Sequence, residues 1–206
     1  MLDLFCGLKG ASAPFLTSPK WDVTTVDVET KFNPTFVRDL SRPEVYDELY
    51  QHNSNFDFVW ASPPCTKFSV ASIGRYWKGN KPGKEVEEEV KMLRLLVDFC
   101  KQYKYFVIEN PRGMMRKVDF LNEELKRITI TQCQYGKEYM KPTDLWGVFP
   151  PNWIPKPACK NGAPCHVSAP RGSNSGIQAI KSAAERAKIP FPLTDSLRKC
   201  FHPTEY

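Results

Sequence analysis

Apolar residues along this chain fall into two alternating textures: short, nearly continuous runs and longer stretches with helical spacing. MLDLF (1–5), WDVTTVDV (21–28), FDFVWAS (56–62), YFVIEN (105–110) and RITITQCQY (127–135) read as strands. The first, third and fourth are almost wholly apolar, as expected of strands covered on both faces of a sheet. Between them, PEVYDELYQH (43–52) has the spacing of a short helix with proline in its first turn. EVEEEVKMLRLLVDFCKQYK (85–104) predicts an amphipathic helix, its acids early and its lysines late, in line with the helix dipole. Strands alternating with helices predict an α/β fold, a parallel sheet joined by crossover helices.

From about 147 the pattern dissolves. GVFPPNWIPKPACKNGAPCHVSAPRGSNSG is rich in Pro and Gly and has little hydrophobic periodicity, which predicts a loop-built excursion. Helical patterning returns at 176–188 and near 192–200. The expected organisation is a main domain over 1–146, an irregular excursion over 147–175, and C-terminal helices over 176–206 packing back on the main domain.

Composition narrows this little. The 206 residues are 41% hydrophobic and 25% charged, which suits one soluble domain with a sizeable core. No apolar run nears the roughly 18–20 residues that cross a bilayer, and no secretory signal opens the chain. The expectation is a cytoplasmic protein without a membrane partner. Seven cysteines make an odd set for a disulfide framework, so reduced thiols, metal ligands or a nucleophile are expected. A net charge of +6 is compatible with a nucleic-acid partner.

Three stretches carry chemistry. DLFCGLKGAS (3–12) places glycines after the first strand, where backbone turns tightly and approaches a ligand. Asp27 ends the second strand, where nucleotide-binding α/β folds place a carboxylate for ribose hydroxyls. Asp39 sits at a further strand end, within reach of an adenine. In ASPPCTKFS (61–69) two prolines stiffen the chain just as Cys65 emerges from a strand. YFVIENPRG (105–113) delivers Glu109 at the mouth of an apolar strand, where a carboxyl is costly unless it has a partner or a task. A thiol and a carboxyl at neighbouring strand ends suit a nucleophile and an acid: the thiol attacks an electron-poor ring carbon while the acid protonates the ring nitrogen.

DLFCGLKGAS, SPPCTKFS and ENP, in this order and at strand ends, resemble the motifs of the DNA (cytosine-5) methyltransferase family. The resemblance covers about 1–146, and the ending RAKIPFPL is similar to that of small phage-encoded members. It implies a Rossmann-like S-adenosylmethionine-dependent methyltransferase sheet with a small target-recognition excursion, acting on double-stranded DNA with a flipped cytosine. It makes Cys65 the nucleophile, since amino-methylating relatives carry an aromatic residue at that place. It assigns Asp3, Leu4, Phe5, Cys6, Gly7 and Gly10 to the S-adenosyl-L-methionine loop. Asp27 and Val28 belong to the ribose, Asp39 and Leu40 to the adenine, and Pro63 lies between donor and flipped base. Glu109 contacts cytosine N3, with Pro64, Asn110, Pro111 and Arg112 around the base.

The chain departs from that pattern after QCQYG. Where the family carries a Gln-x-Arg-x-Arg run, KEYMKPTDLW offers only Lys141. A tRNA cytosine-5 methyltransferase would share the same motifs, and a catalytically silent DNA-binding relative would share the fold. The 66–84 loop carries Lys67, Arg75, Lys78, Lys81 and Lys84 with no acid, interleaved with Phe68, Tyr76 and Trp77. A base-flipping enzyme needs such a segment to grip phosphates and fill the vacated stack, so Lys67, Phe68, Ser69 and, in the excursion, Arg171 are expected to contact substrate. Finally, Cys133, Cys159, Cys165 and His166 make up a tetrahedral zinc set that would hold a module lacking a core.

Overall fold

The computed structural model of the chain describes residues 1–170 and 172–201. Its strands are β1 (Leu2–Leu4), β2 (Thr24–Asp27), β3 (Phe36–Val37), β4 (Val59–Ala61), β5 (Trp77–Lys78), β6 (Lys81–Pro82), β7 (Phe106–Pro111), β8 (Lys126–Thr131) and β9 (Pro142–Val148). Its helices are α1 (Ala13–Leu16), α2 (Pro43–His52), α3 (Lys84–Cys100), α4 (Asp119–Glu124), α5 (Ala183–Ala187) and α6 (Phe191–Arg198). Seven strands form one sheet in the order β3-β2-β1-β4-β7-β9-β8. The first five run parallel, and β9 lies antiparallel to both its neighbours. Among the described residues no helix is long and apolar enough to cross a membrane.

Both faces of the sheet are covered, which is why the central strands read as unbroken apolar runs. Val59 and Ala61 of β4 face α2 and α3, joining Leu49, Leu93 and Leu96 in one core. Phe58 and Trp60 point the other way, into a second core with Phe15 and with Leu193 and Leu197 of α6. Full burial of each such leucine contributes about 1.5–3 kcal/mol.

The sequence pattern missed β9, and the cause is visible in it. PTDLWGV starts with Pro, carries an acid and a glycine, and so reads as a turn. In place, Asp144 is fully buried and accepts both Nε and Nη2 of Arg116, each at 2.5 Å, and the hydroxyl of Thr129 at 2.7 Å. Gly147 has φ +148°, and a Cβ there would lie 2.0 Å from the Phe106 carbonyl oxygen. The strand expected over 127–135 ends at Thr131, and Gln132–Tyr135 turns into a 3-10 helix. The helix expected over 176–188 is a 3-10 turn, Gly176–Ala179, followed by the short α5.

The basic 66–84 loop is also more ordered than its composition implies. It contains the β5–β6 hairpin, and Phe68 and Trp77 are buried in the core beneath it. Phe68 is therefore packing, not a stacking side chain. Lys67 pairs with Glu89 and donates to the Glu85 carbonyl, which removes it from the free cations.

Because Asp144 is buried with its charge balanced by a single arginine, Asp144→Asn should lower stability by about 3 kcal/mol. Urea unfolding of the two proteins measures the difference. A loss under about 1 kcal/mol would mean that Arg116 contributes nothing to the β8–β9 edge.

Candidate active site

The parallel strands deliver their carboxyl ends to one edge, and a cavity of about 610 Å³ opens there. One end of it is built by the turn after β1. Phe5, Gly7 and Lys9 all have positive φ, at 57°, 48° and 55°. Two non-glycine residues in that region mark a strained loop held by its surroundings. The hold is Asp27, whose carboxylate accepts the N–H of Gly7 at 2.8 Å and of Glu29 at 2.9 Å. Beneath the loop, Asp3 is buried and accepts the Ser12 hydroxyl at 2.6 Å. Burial pushes its carboxyl up to about 7.

The other end holds Cys65 and Glu109. The Pro63 carbonyl accepts the buried Asn110 side-chain amide at 2.9 Å, tying the turn after β4 to the end of β7. The Cys65 carbonyl accepts the N–H groups of Phe68 and Ser69, at 3.0 and 2.8 Å, closing the next turn. That turn docks where Gly113 has no side chain: a Cβ there would lie 2.3 Å from the Phe68 carbonyl oxygen, which accepts the Met114 N–H at 2.6 Å. Cys65 is thus braced on both sides and remains half-buried at the cavity wall.

Burial raises Glu109 above the usual carboxylate range, against the opposing pull of Lys141. Its Oε1 is buried and meets no hydrogen-bond partner. Burial and then the Glu109 charge raise Cys65, while Lys141 and Arg186 pull it down. Cys6 lines the same cavity, but burial, Asp3 and Asp27 push it up to about 12. Lys9 pulls Cys6 down against two carboxylates, whereas Cys65 has two cations, Lys141 and Arg186, against one. A carboxyl raised by burial and a thiol facing two cations can together act on a ring.

Of the residues singled out in the sequence, the cavity gathers Asp3, Phe5, Cys6, Gly7, Gly10, Pro63, Pro64, Cys65, Glu109, Pro111 and Lys141. Leu4 and Leu40 are core residues, and Val28 and Asp39 face solvent. The Asp39 carboxylate accepts the backbone and hydroxyl of Ser41. Asp27 and Asn110 act from behind the wall, as loop holder and clamp. Ser69 lies in the turn after Cys65, Arg112 is exposed, and Arg171 lies outside the described residues. Sequence reasoning missed Glu29, Lys31 and Phe32, only a few residues past Asp27, and the wall formed by Ile177, Ala183, Ala184, Arg186 and Ile189. Small residues of that kind carry no chemical signal in a sequence.

A second cluster lies at the far end of β8. The ligand atoms of Cys133, Cys159, Cys165 and His166 all fall within 4.8 Å of one another. Cys133 Sγ is 3.2 Å from Cys159 Sγ and 3.7 Å from Cys165 Sγ. His166 Nδ1 lies 3.7 Å from Cys159 Sγ and 3.5 Å from Cys165 Sγ. Behind them, the Thr131 hydroxyl accepts the Cys159 N–H at 3.0 Å.

The electrostatics of Cys65 can be tested by alkylation with iodoacetamide across pH. The midpoint should lie above that of an ordinary cysteine. Glu109→Gln removes a negative neighbour and should lower it, whereas Lys141→Met removes a positive one and should raise it. A midpoint that ignores both changes would place these groups too far away to matter.

No family model matches the chain. It is 28% identical over 180 residues, 78% of each chain, to a probable DNA (cytosine-5)-methyltransferase of Frog virus 3 (isolate Goorha). Among solved structures it is similar to the Entamoeba histolytica methyltransferase EhMeth, with TM-score 0.50 and 16% identity over 77% of this chain and 56% of that one. It also matches the S. pombe Dnmt2 methyltransferase, with TM-score 0.46 and 16% identity over 71% of this chain and 49% of that one. The chain spans about half the length of these solved structures. The viral relative bears the family name that the strand-end motifs point to, and the sheet is the one on which EhMeth is built. In its strand-end motifs and in this relative, the chain is similar to the DNA (cytosine-5)-methyltransferases.

Proposed function

We propose that this chain transfers a methyl group from S-adenosylmethionine to C5 of a cytosine turned out of a DNA duplex. The observation that carries this reading is the shared cavity, with the glycine turn after β1 at one end and Cys65 with Glu109 at the other. S-adenosylmethionine, when bound, supplies an electrophilic methyl on a sulfonium. The lining fits a cation of this kind, because it offers the buried carboxyl of Asp3 at the donor end of the cavity. Asp3, Phe5 and Gly7 would hold the donor, with Glu29, Lys31 and Phe32 at the rim.

At the other end, Cys65 as thiolate adds to C6 of the base, and Glu109 gives its proton to N3. The electron pair released at C5 takes the methyl. Loss of the C5 proton to a base then expels the Cys65 sulfur and restores the ring. Lys141 stabilises the thiolate before attack and the Glu109 carboxylate after it has given up its proton. Arg75, Lys78, Lys81 and Lys84, all exposed on the 66–84 loop, would meet phosphates. A protein of this kind works inside the cell, on double-stranded DNA.

We also infer that Cys133, Cys159, Cys165 and His166 bind one structural zinc. A tetrahedron with metal–sulfur bonds of about 2.3 Å has edges of about 3.8 Å, near the spacings found here. Three thiols and one imidazole close all four positions with protein ligands, which suits a structural role.

Three measurements test these readings. Duplex DNA containing 5-fluorocytosine should form a covalent adduct with the protein, and Cys65→Ser should form none. Failure to trap an adduct with active protein would sink the thiol mechanism. Glu109→Gln should lower turnover by roughly a hundred- to ten-thousand-fold with little change in donor binding. Bisulfite mapping should show a short site of two to four base pairs, because few side chains of the excursion can reach base edges and each good contact discriminates by about 1–3 kcal/mol. Methylation of tRNA and not of duplex DNA by the same preparation would transfer the assignment to the tRNA substrate.

A further inference from the structure

We propose that the 176–189 segment is the outer wall of the donor end of the cavity, and that metal at the Cys/His cluster holds that wall in place, so that metal occupancy sets donor affinity. The proposal rests on the zinc and donor readings above and adds the coupling between them.

The wall is seated by close contacts. Ile189 packs directly on Gly10, where a Cβ would lie 2.7 Å from the Ile189 nitrogen and 2.9 Å from its oxygen. Gly10 is thus a seat for the wall as well as part of the turn after β1. At the catalytic end, Lys141, itself at φ +29°, donates its Nζ to the Arg186 carbonyl at 2.7 Å. The Arg186 guanidinium donates to the Ile180 and Lys181 carbonyls, which binds the wall into one piece. Its C-terminal end is secured by Ile189, Leu193 and Leu197 in the second core.

Its N-terminal end has no such core. Residue 176 is anchored through 167–170, the segment that follows His166. Ser175 donates its hydroxyl to the Ser168 carbonyl at 2.9 Å, and the Gln178 amide reaches the Pro170 carbonyl at 3.2 Å. Gly176, at φ +56°, abuts Ala169, where a Cβ would meet the Ala169 Cβ at 2.9 Å. The 167–170 segment is joined to the sheet side by the Val167 N–H on the Glu138 carbonyl, at 2.7 Å.

Between 154 and 170 not one described residue is buried. A stretch with no core of its own takes its order from a crosslink, and the four ligands tie it to β8 through Cys133. Without metal, 154–170 would lose its main tether, the contacts with 175–178 would loosen, and the wall would be held mainly from its C-terminal end. By linkage, a metal that favours the closed wall strengthens donor binding, and bound donor strengthens metal binding by the same factor.

The test uses the full chain, purified without a metal-affinity tag and kept reduced. Zinc is measured by elemental analysis, then removed with a chelator, and S-adenosylhomocysteine binding is followed by calorimetry before and after. Affinity should fall about 5- to 150-fold on removal and return when zinc is restored. Cys165→Ser should behave as the zinc-free protein, whereas Cys200→Ser, outside the cluster, should behave as wild type. Hydrogen exchange should rise over 154–189 with the central strands unchanged. Less than about half an equivalent of zinc in the purified chain would remove the metal reading itself. Failure of the zinc-loaded chain to bind S-adenosylhomocysteine would remove the donor reading. With both intact, an unchanged affinity after zinc removal overturns the coupling. A loss of affinity accompanied by exchange of the central strands overturns it as well, since the metal would then support the whole fold.

Discussion

The hydrogen bond from the Asn110 side chain to the Pro63 carbonyl joins the ends of two neighbouring parallel strands, β4 and β7. Each strand end carries one side chain that lines the cavity, Cys65 and Glu109. A parallel sheet sets the distance between strands but not the course of the chain beyond them. The buried amide supplies that missing constraint. Loss of one partner would leave a buried polar group unsatisfied, at about 1–3 kcal/mol, so the turn has little freedom to drift. Proline stiffness on one side and the Gly113 docking point on the other complete the brace.

Electrostatics in the cavity follow from the same burial. Asp3 and Glu109 both lie in surroundings that favour the uncharged acid. The cation that offsets this at Asp3 is Lys9, in the turn after β1, and at Glu109 it is Lys141, beyond the β8 turn. Neither sits on a parallel strand. The ends of the parallel strands carry the acids and the thiol, while the cations around Cys65, Lys141 and Arg186, come from the antiparallel edge and the C-terminal segment.

This division bears on how so short a chain closes a cavity of this size. The N-terminal part spends its apolar residues on two cores, one on each face of the sheet. Little is left for the excursion, where Trp153, stacked on Phe149 and donating to the Ser196 hydroxyl, is the main buried side chain before the exposed stretch begins. Beyond it, the ligand atoms of Cys133, Cys159, Cys165 and His166 come together at one point.

Local pattern determined much of this protein. The unbroken apolar runs required a sheet covered on both faces, helical spacing placed α2 and α3, and the strand-end motifs fall where the cavity opens. Even the four metal-type ligands were legible, because Cys and His in a core-poor segment have few other uses. Tertiary structure decided what depends on partners remote in sequence. β9 could not be read because Asp144 resembles a turn residue until Arg116 neutralises it. Phe68 resembled a stacking side chain until the fold closed over it. Asp27 resembled a ligand-binding acid, and the fold gives its oxygens to the backbone of the turn after β1 and to Glu29. Arg186 opens the RAKIPFPL stretch, which gave it no chemical role. A charge acquires its role from the field around it, and that field is assembled only when segments far apart in the chain are brought within a few ångströms.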